Sequence, residues 1–218
     1  MNASLKKLDT FFSRAKTYSE KKYRGELSDF RRLSPETFRR MDADNFLESY
    51  AWVVYAAGFK ELTLEKKFPA IKKAFKGFKV QKVSKMSSLS PPVPEDFKSK
   101  GKARSVVQGA KMIAGEWFGK LKQCKPKQAV NLLDALPGIG PVNKYQLARD
   151  IGLADVAKPD IWIIRITKLS KFTNYKKMIG YLSGKFGETY GIVDVILWRF
   201  CGDTFRNEAE LADYWRSI

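Results

Sequence analysis

Leu132-Leu133-Asp134-Ala135-Leu136-Pro137-Gly138-Ile139-Gly140-Pro141 and, a helix and a loop later, Lys158-Pro159-Asp160-Ile161-Trp162-Ile163-Ile164-Arg165 decide how this chain is read. Leu136 to Gly140 reads as a tight turn between two helices. Pro137 cannot continue the first helix, because its ring removes the amide donor and clashes with the preceding turn. Gly138 and Gly140 permit positive φ and close approach of another backbone. The next helix is expected to start around Pro141, since proline is favoured at a first helical position that has no use for an N–H. Such a turn leaves backbone N–H groups unbonded at a helix N-terminus, an arrangement suited to an anion such as phosphate. Asp160 stands at the expected start of the following helix.

These residues resemble the helix-hairpin-helix DNA glycosylase superfamily, which includes endonuclease III and the adenine-mismatch glycosylases. Its shared pattern is a Leu-Pro-Gly-Val/Ile-Gly hairpin, a helix, and an Asp opening the helix after that. The spacing from Gly140 to Asp160 matches. The strong match covers roughly 129–169, with weaker echoes over about 45–120 and near 191–202. A hairpin alone occurs in many non-enzymatic DNA binders; a hairpin with the correctly spaced Asp is far more specific.

Composition agrees with a polyanion partner. Forty-one Lys and Arg face twenty-three Asp and Glu, a formal net charge of +18, which favours nucleic acid through counterion release and long-range steering. Ribosome-associated and membrane-surface proteins are basic too, so charge alone does not decide. Hydrophobic and aromatic contents of 44% and 13% predict a folded globule. The chain has no histidine, which excludes Ser-His-Asp catalysis and nearly all zinc-enzyme sites. Cys124 and Cys201 are too few for the four-cysteine iron–sulfur cluster carried by some family members, so none is expected. They read as free thiols in a reducing compartment. The first thirty residues are charged throughout, and no apolar run approaches the ~20 residues that span a bilayer. An intracellular protein is therefore expected, cytoplasmic or nucleoid-associated, with no membrane partner, and monomeric.

Along the chain, apolar residues recur at helical spacing and nowhere show sustained alternation. Residues 1–44 interleave basic and aromatic positions in a helical pattern broken near Gly25 and at Ser34-Pro35. Further helices are expected over 45–57, ended by Gly58, over 62–75, from Ala103 to Trp117, and over 127–135. Residues 84–101, rich in Ser and Pro, read as a loop. Beyond Asp160, helices are expected to about Phe172, over 175–186, from Ile192 through Phe200, and within 204–218. The fold class is all-α. The resemblance implies two helical subdomains flanking a DNA-binding cleft: a central one over 45–155, with the helix-hairpin-helix at about 128–151, and a second built from 1–44 plus 156–218.

The resemblance also assigns roles. Breaking an N-glycosidic bond builds positive charge on the sugar, which an ionised carboxylate stabilises while orienting a water. Asp160 is that candidate. Its blander role is an N-cap, and the two are compatible because a helix N-terminus favours the ionised form. Family members that also cut the strand carry a lysine two residues after the hairpin's second glycine. Here that residue is Val142, which implies a monofunctional enzyme using water. Lys144 is displaced by about 200° around a helix and reads as a phosphate contact, with a bifunctional glycosylase/lyase built on Lys144 as the alternative. Amides near Gly138, Gly140 and Val142 would bind a DNA phosphate, and carbonyls of Asp134, Leu136 and Ile139 a K⁺ or Na⁺ ion; no other cofactor is implied. A flipped nucleotide leaves a gap to be filled. Phe59, on the Gly58-Phe59-Lys60 turn, is the candidate wedge, and Trp52, Tyr55 and Trp162 are candidates for stacking on the extruded base, although all four also fit a hydrophobic core. The partner would be double-stranded DNA bearing a damaged or mismatched base, whose identity the sequence does not reveal. A non-catalytic helix-hairpin-helix DNA-binding module is the competing class.

Overall fold

The structure, a computed structural model, describes residues 3–59, 61–95 and 97–218, with the side chain of Glu61 outside that set. Lys60, part of the wedge turn, lies outside the described residues. In chain order the helices are α1 (Ala3–Lys22), α2 (Arg24–Arg32), α3 (Pro35–Arg40), α4 (Ala43–Ala56), α5 (Glu61–Ala74), α6 (Val80–Val83), α7 (Lys100–Ala114), α8 (Trp117–Gln123), α9 (Pro126–Leu132), α10 (Asn143–Asp150), α11 (Ile161–Leu169), α12 (Tyr175–Phe186), α13 (Tyr190–Thr204) and α14 (Glu208–Ser217). No strand occurs among the described residues, and no helix there is long and apolar enough to cross a membrane.

The chain forms two compact units, one from residues 1–33 and 155–218, the other from 34–154. In the first, α13 is the central element: Ile192, Val193, Val195, Ile196, Leu197 and Phe200 are all buried. Leu8, Phe11, Phe12 and Ala15 of α1 recur at i, i+3, i+4 and i+7, so one stripe of that helix packs on α13. Phe11 meets Phe200 edge-on at 5.4 Å and Trp215 of α14 at 5.5 Å. The break between α1 and α2 falls at Tyr23, and Gly25 lies inside α2.

In the second unit α4 plays the central part, with Phe46, Leu47, Tyr50, Ala51, Val53, Val54 and Tyr55 buried. Asp42 caps it by accepting the Asn45 amide at 2.8 Å. Gly109 lets α7 approach closely: a Cβ there would stand 2.3 Å from the Tyr50 ring. The unit begins at Ser34, whereas the sequence places that boundary at residue 45. The cause is α3, which is anchored in this unit. Phe38 meets Phe118 edge-on at 6.5 Å, and the Lys122 ammonium caps α3 through the carbonyls of Arg39 and Met41.

Between α5 and α6 the chain makes a left-handed turn, with φ of 53° at Lys76, 68° at Gly77 and 54° at Phe78. Left-handed conformations disfavour non-glycine residues by roughly 1–2 kcal/mol each. Aromatic packing opposes that strain. Phe78 stacks on Phe75 at 5.9 Å and on Phe68 at 5.6 Å, and Asp44 of α4 accepts the Val80 amide at 2.8 Å.

A third non-glycine residue in the left-handed region has no such aromatic packing. Lys171, with φ 61°, follows the Ser170 cap of α11 and is exposed. Glycine is the favoured residue at this position. Lys171→Gly is expected to stabilise the first unit by about 1 kcal/mol, seen as a rise of roughly 4–8 °C in its thermal midpoint by calorimetry.

Candidate active site

The segment from Leu133 to Asn143 connects α9 to α10. A 3-10 turn over Leu133–Ala135 ends at Leu136, whose amide returns to the Leu133 carbonyl at 3.1 Å. Ile139 donates to the Leu136 carbonyl at 3.0 Å, and Gly138 takes φ 80°. Regular helix begins at Asn143, two residues beyond the expected start at Pro141, because Pro141 and Val142 are spent in a turn before it. As a result, the amides of Gly138, Gly140, Val142 and Asn143 donate no hydrogen bond within the described residues. Val142 is 38% exposed.

Tyr50 fixes this segment in place. Its hydroxyl, buried with the ring, lies within hydrogen-bonding distance of the Pro137 carbonyl and, at 2.9 Å, of the Ser105 carbonyl on α7. Burial raises the phenol's pKa far above its ordinary value, so it remains a donor at any pH the fold survives. Gly138 sits against α7, where a Cβ would come within 3.0 Å of the Ser105 hydroxyl.

Lys144 stands in the first turn of α10. Its ammonium pairs with Asp134 at 2.5 Å, and only 11% of the side chain is exposed. The amine is thus held by a carboxylate ten residues earlier. The carbonyls of Asp134 and Ile139 accept no hydrogen bond within the described residues, while that of Leu136 accepts one. Neutral oxygens of this kind suit a monovalent cation.

At the other end of α4, Gly58 adopts φ 79° and Phe59 is 48% exposed. The Phe59 ring leans on Phe97 at 4.5 Å. Lys102 closes the helix end, donating to the carbonyls of Val54, Tyr55 and Ala57 at 2.6, 3.2 and 2.7 Å with its ammonium 5.2 Å from the Phe59 ring. Partial burial lowers the Lys102 pKa. Tyr55 is not presented to any ligand. It is fully buried, edge-on to Phe75 and Phe97, and its assignment to a base pocket is corrected to the core. Trp52 is partly buried and packs edge-on against Phe68 at 4.9 Å.

In the first unit, Asp160 is half-buried and caps α11, its carboxylate accepting the Ile163 amide at 2.9 Å. The loop before it is fastened to α13 twice. Asp194 accepts the Lys158 amide at 2.8 Å, and Asp155 accepts the Gly191 amide at 2.8 Å. Burial, and secondarily the negative charge of Asp160, push the thiol of Cys201 in the last turn of α13 well up. Trp162 packs against Phe205 at 6.3 Å, with the Arg165 guanidinium 5.0 Å from its ring; Arg165 also pairs with Glu208 at 3.1 Å.

Tyr50, Lys102, Asp155 and Asp194 escape sequence reasoning. Asp194 alone leaves a signal, a carboxylate inside the apolar run Gly191-Ile192-Val193-Asp194-Val195-Ile196-Leu197, where burial without a partner is prohibitive.

No family model matches this chain, and neither does any curated protein. Among solved structures, the 8-oxoguanine DNA glycosylase of Thermotoga maritima is similar in fold, with a TM-score of 0.61 at 15% identity over 88% of this chain and 95% of that one. The fold is thus the all-α DNA glycosylase fold. Tyr50→Phe is expected to cost about 1–3 kcal/mol in urea unfolding of the second unit, because it leaves the part-buried Pro137 carbonyl without its donor. In that variant the amides of residues 138–140 should exchange faster with solvent than those of α4.

Proposed function

We propose that this chain is a DNA glycosylase of base excision repair. It would hydrolyse the bond between deoxyribose and a flipped, damaged or mismatched base, with Asp160 as its catalytic carboxylate. The observation that carries the reading is Asp160 itself: a half-buried carboxylate held at the start of α11 in a fold shared with an 8-oxoguanine DNA glycosylase. The helix N-terminus favours its ionised form. Across from the departing base, that charge stabilises the oxocarbenium-like sugar and orients water for attack at the anomeric carbon.

The Leu136–Val142 segment is the helix-hairpin-helix turn of this reading. Its amides at Gly138, Gly140 and Val142 take up a phosphate of double-stranded DNA. The carbonyls of Asp134, Leu136 and Ile139 would hold K⁺ or Na⁺, which supplies positive charge toward that phosphate. Phe59 serves as the wedge filling the vacated stack, supported by its exposure and by Lys102 beside it. Trp162 and, less directly, Trp52 remain the aromatic candidates beside the base. Both are partly buried and pack against another ring.

Hydrolysis by water is favoured over lyase chemistry because Val142 has no amine and Lys144 is engaged by Asp134. Borohydride treatment during turnover should trap no covalent DNA adduct; an adduct that disappears in Lys144→Gln would establish the bifunctional alternative. Asp160→Asn keeps the oxygen that caps α11 and removes the charge. Base release in single turnover should fall by a factor of about 10²–10³, comparable to removal of one preorganised electrostatic group, with duplex affinity little changed. Full turnover by that variant would remove Asp160 from the mechanism. A wild-type protein that binds duplexes and releases no base from any lesion would instead be a non-catalytic DNA-binding module.

A further inference from the structure

From Lys66 to Lys111 the chain carries thirteen basic residues against two acidic ones, Glu95 and Asp96. Part of this excess is gathered by the left-handed turn between α5 and α6. With Phe75 and Phe78 tucked into the core, Lys72, Lys73, Lys76, Lys79 and Lys82 are left exposed. Two of the five are neutralised from α4, Lys72 by Glu48 at 2.7 Å and Lys79 by Asp44 at 3.0 Å. Lys73, Lys76 and Lys82 have no ionic partner within the described residues. Lys76 opens the left-handed run. The preceding residue, Phe75, has φ −90° and ψ 27°, and the step from a right-handed to a left-handed residue turns successive amides toward one side, as in anion-binding nests.

This strained turn is therefore locked in place by an aromatic stack and by Asp44, and what it displays is uncompensated positive charge. Asp44 and Glu48 mark the side of α4 that faces it. Tyr50, which faces the Leu136–Val142 segment, lies roughly 120–160° around the same helix. The lysine ridge and that segment occupy different sides of the unit.

We propose that Lys73, Lys76 and Lys82, with the turn that displays them, form a second binding surface for duplex DNA, one that grips the sugar-phosphate backbone without regard to sequence. Charge complementarity selects the partner: exposed ammonium groups on the turn and on the helices either side of it match the phosphates of a duplex, and each phosphate neutralised releases counterions. The ridge holds duplex DNA through a patch that does not include the residues proposed for chemistry.

The test is the salt dependence of binding to an undamaged 30-base-pair duplex, measured by fluorescence anisotropy between 50 and 200 mM KCl. It involves no base release, so its outcome is independent of Asp160. The triple variant Lys73→Gln/Lys76→Gln/Lys82→Gln should lower the slope of log K against log salt by up to about 2.7, some 0.9 for each phosphate that is no longer neutralised. A control triple of equal charge change in the other unit, Lys168→Gln/Lys176→Gln/Lys177→Gln, should lower it by less than about 0.9, the value for a single phosphate. Unaltered helical circular dichroism in both variants verifies folding. An unchanged slope in the ridge variant, or equal decreases in the two, would overturn the proposal. So would a ridge variant that keeps its DNA affinity while its binding to vesicles of anionic lipid disappears.

Discussion

The Tyr50 hydroxyl, buried against α7 and turned toward Pro137, is the contact on which the architecture of the second unit rests. It exists only because Gly109 leaves room for the ring, so helix packing and turn geometry are a single constraint. Without the hydroxyl, the Pro137 carbonyl of the turn loses its donor. Three further features radiate from the same helix: Asp44 holds the left-handed turn, Asp42 starts α4, and Lys102 closes its far end. A helix buried on most sides is thus also the frame on which the exposed turns are mounted.

The first unit solves a related problem with carboxylates. Asp155 and Asp194 each accept a backbone amide across the gap between the 155–160 loop and α13, and Asp160 then accepts one from its own helix. Three acids in succession replace the regular hydrogen bonding that a proline-containing loop cannot supply. The orientation of Asp160 follows from this scaffold rather than from the two residues beside it.

Periodic features were legible in the chain. The helical pattern read over residues 1–44 contains α1, and α12 occupies the residues 175–186 expected from the pattern. The Pro137-Gly138 break shows in the sequence because proline and glycine act locally. Interactions made by side chains distant in the chain do not show. Lys122 capping α3 lies more than eighty residues from the carbonyls it binds, and that interaction moves the unit boundary to Ser34. Nor does the helical pattern distinguish a core ring from a ligand-facing one, which is why Tyr55 and Trp52 looked alike. The Lys76–Phe78 turn is hidden for another reason: only one of its three left-handed residues is glycine.

Cys201 lies within α13, fully buried, with its thiol held in the protonated form. Alkylating reagents and peroxide attack the thiolate, so this sulfur is inert while the helix stays packed. Its reactivity becomes a clock for transient opening of the first unit. Cys124, half-buried at the end of α8, answers to a different clock in the second. A histidine-free chain thereby carries two chemically identical reporters, one for the breathing of each half.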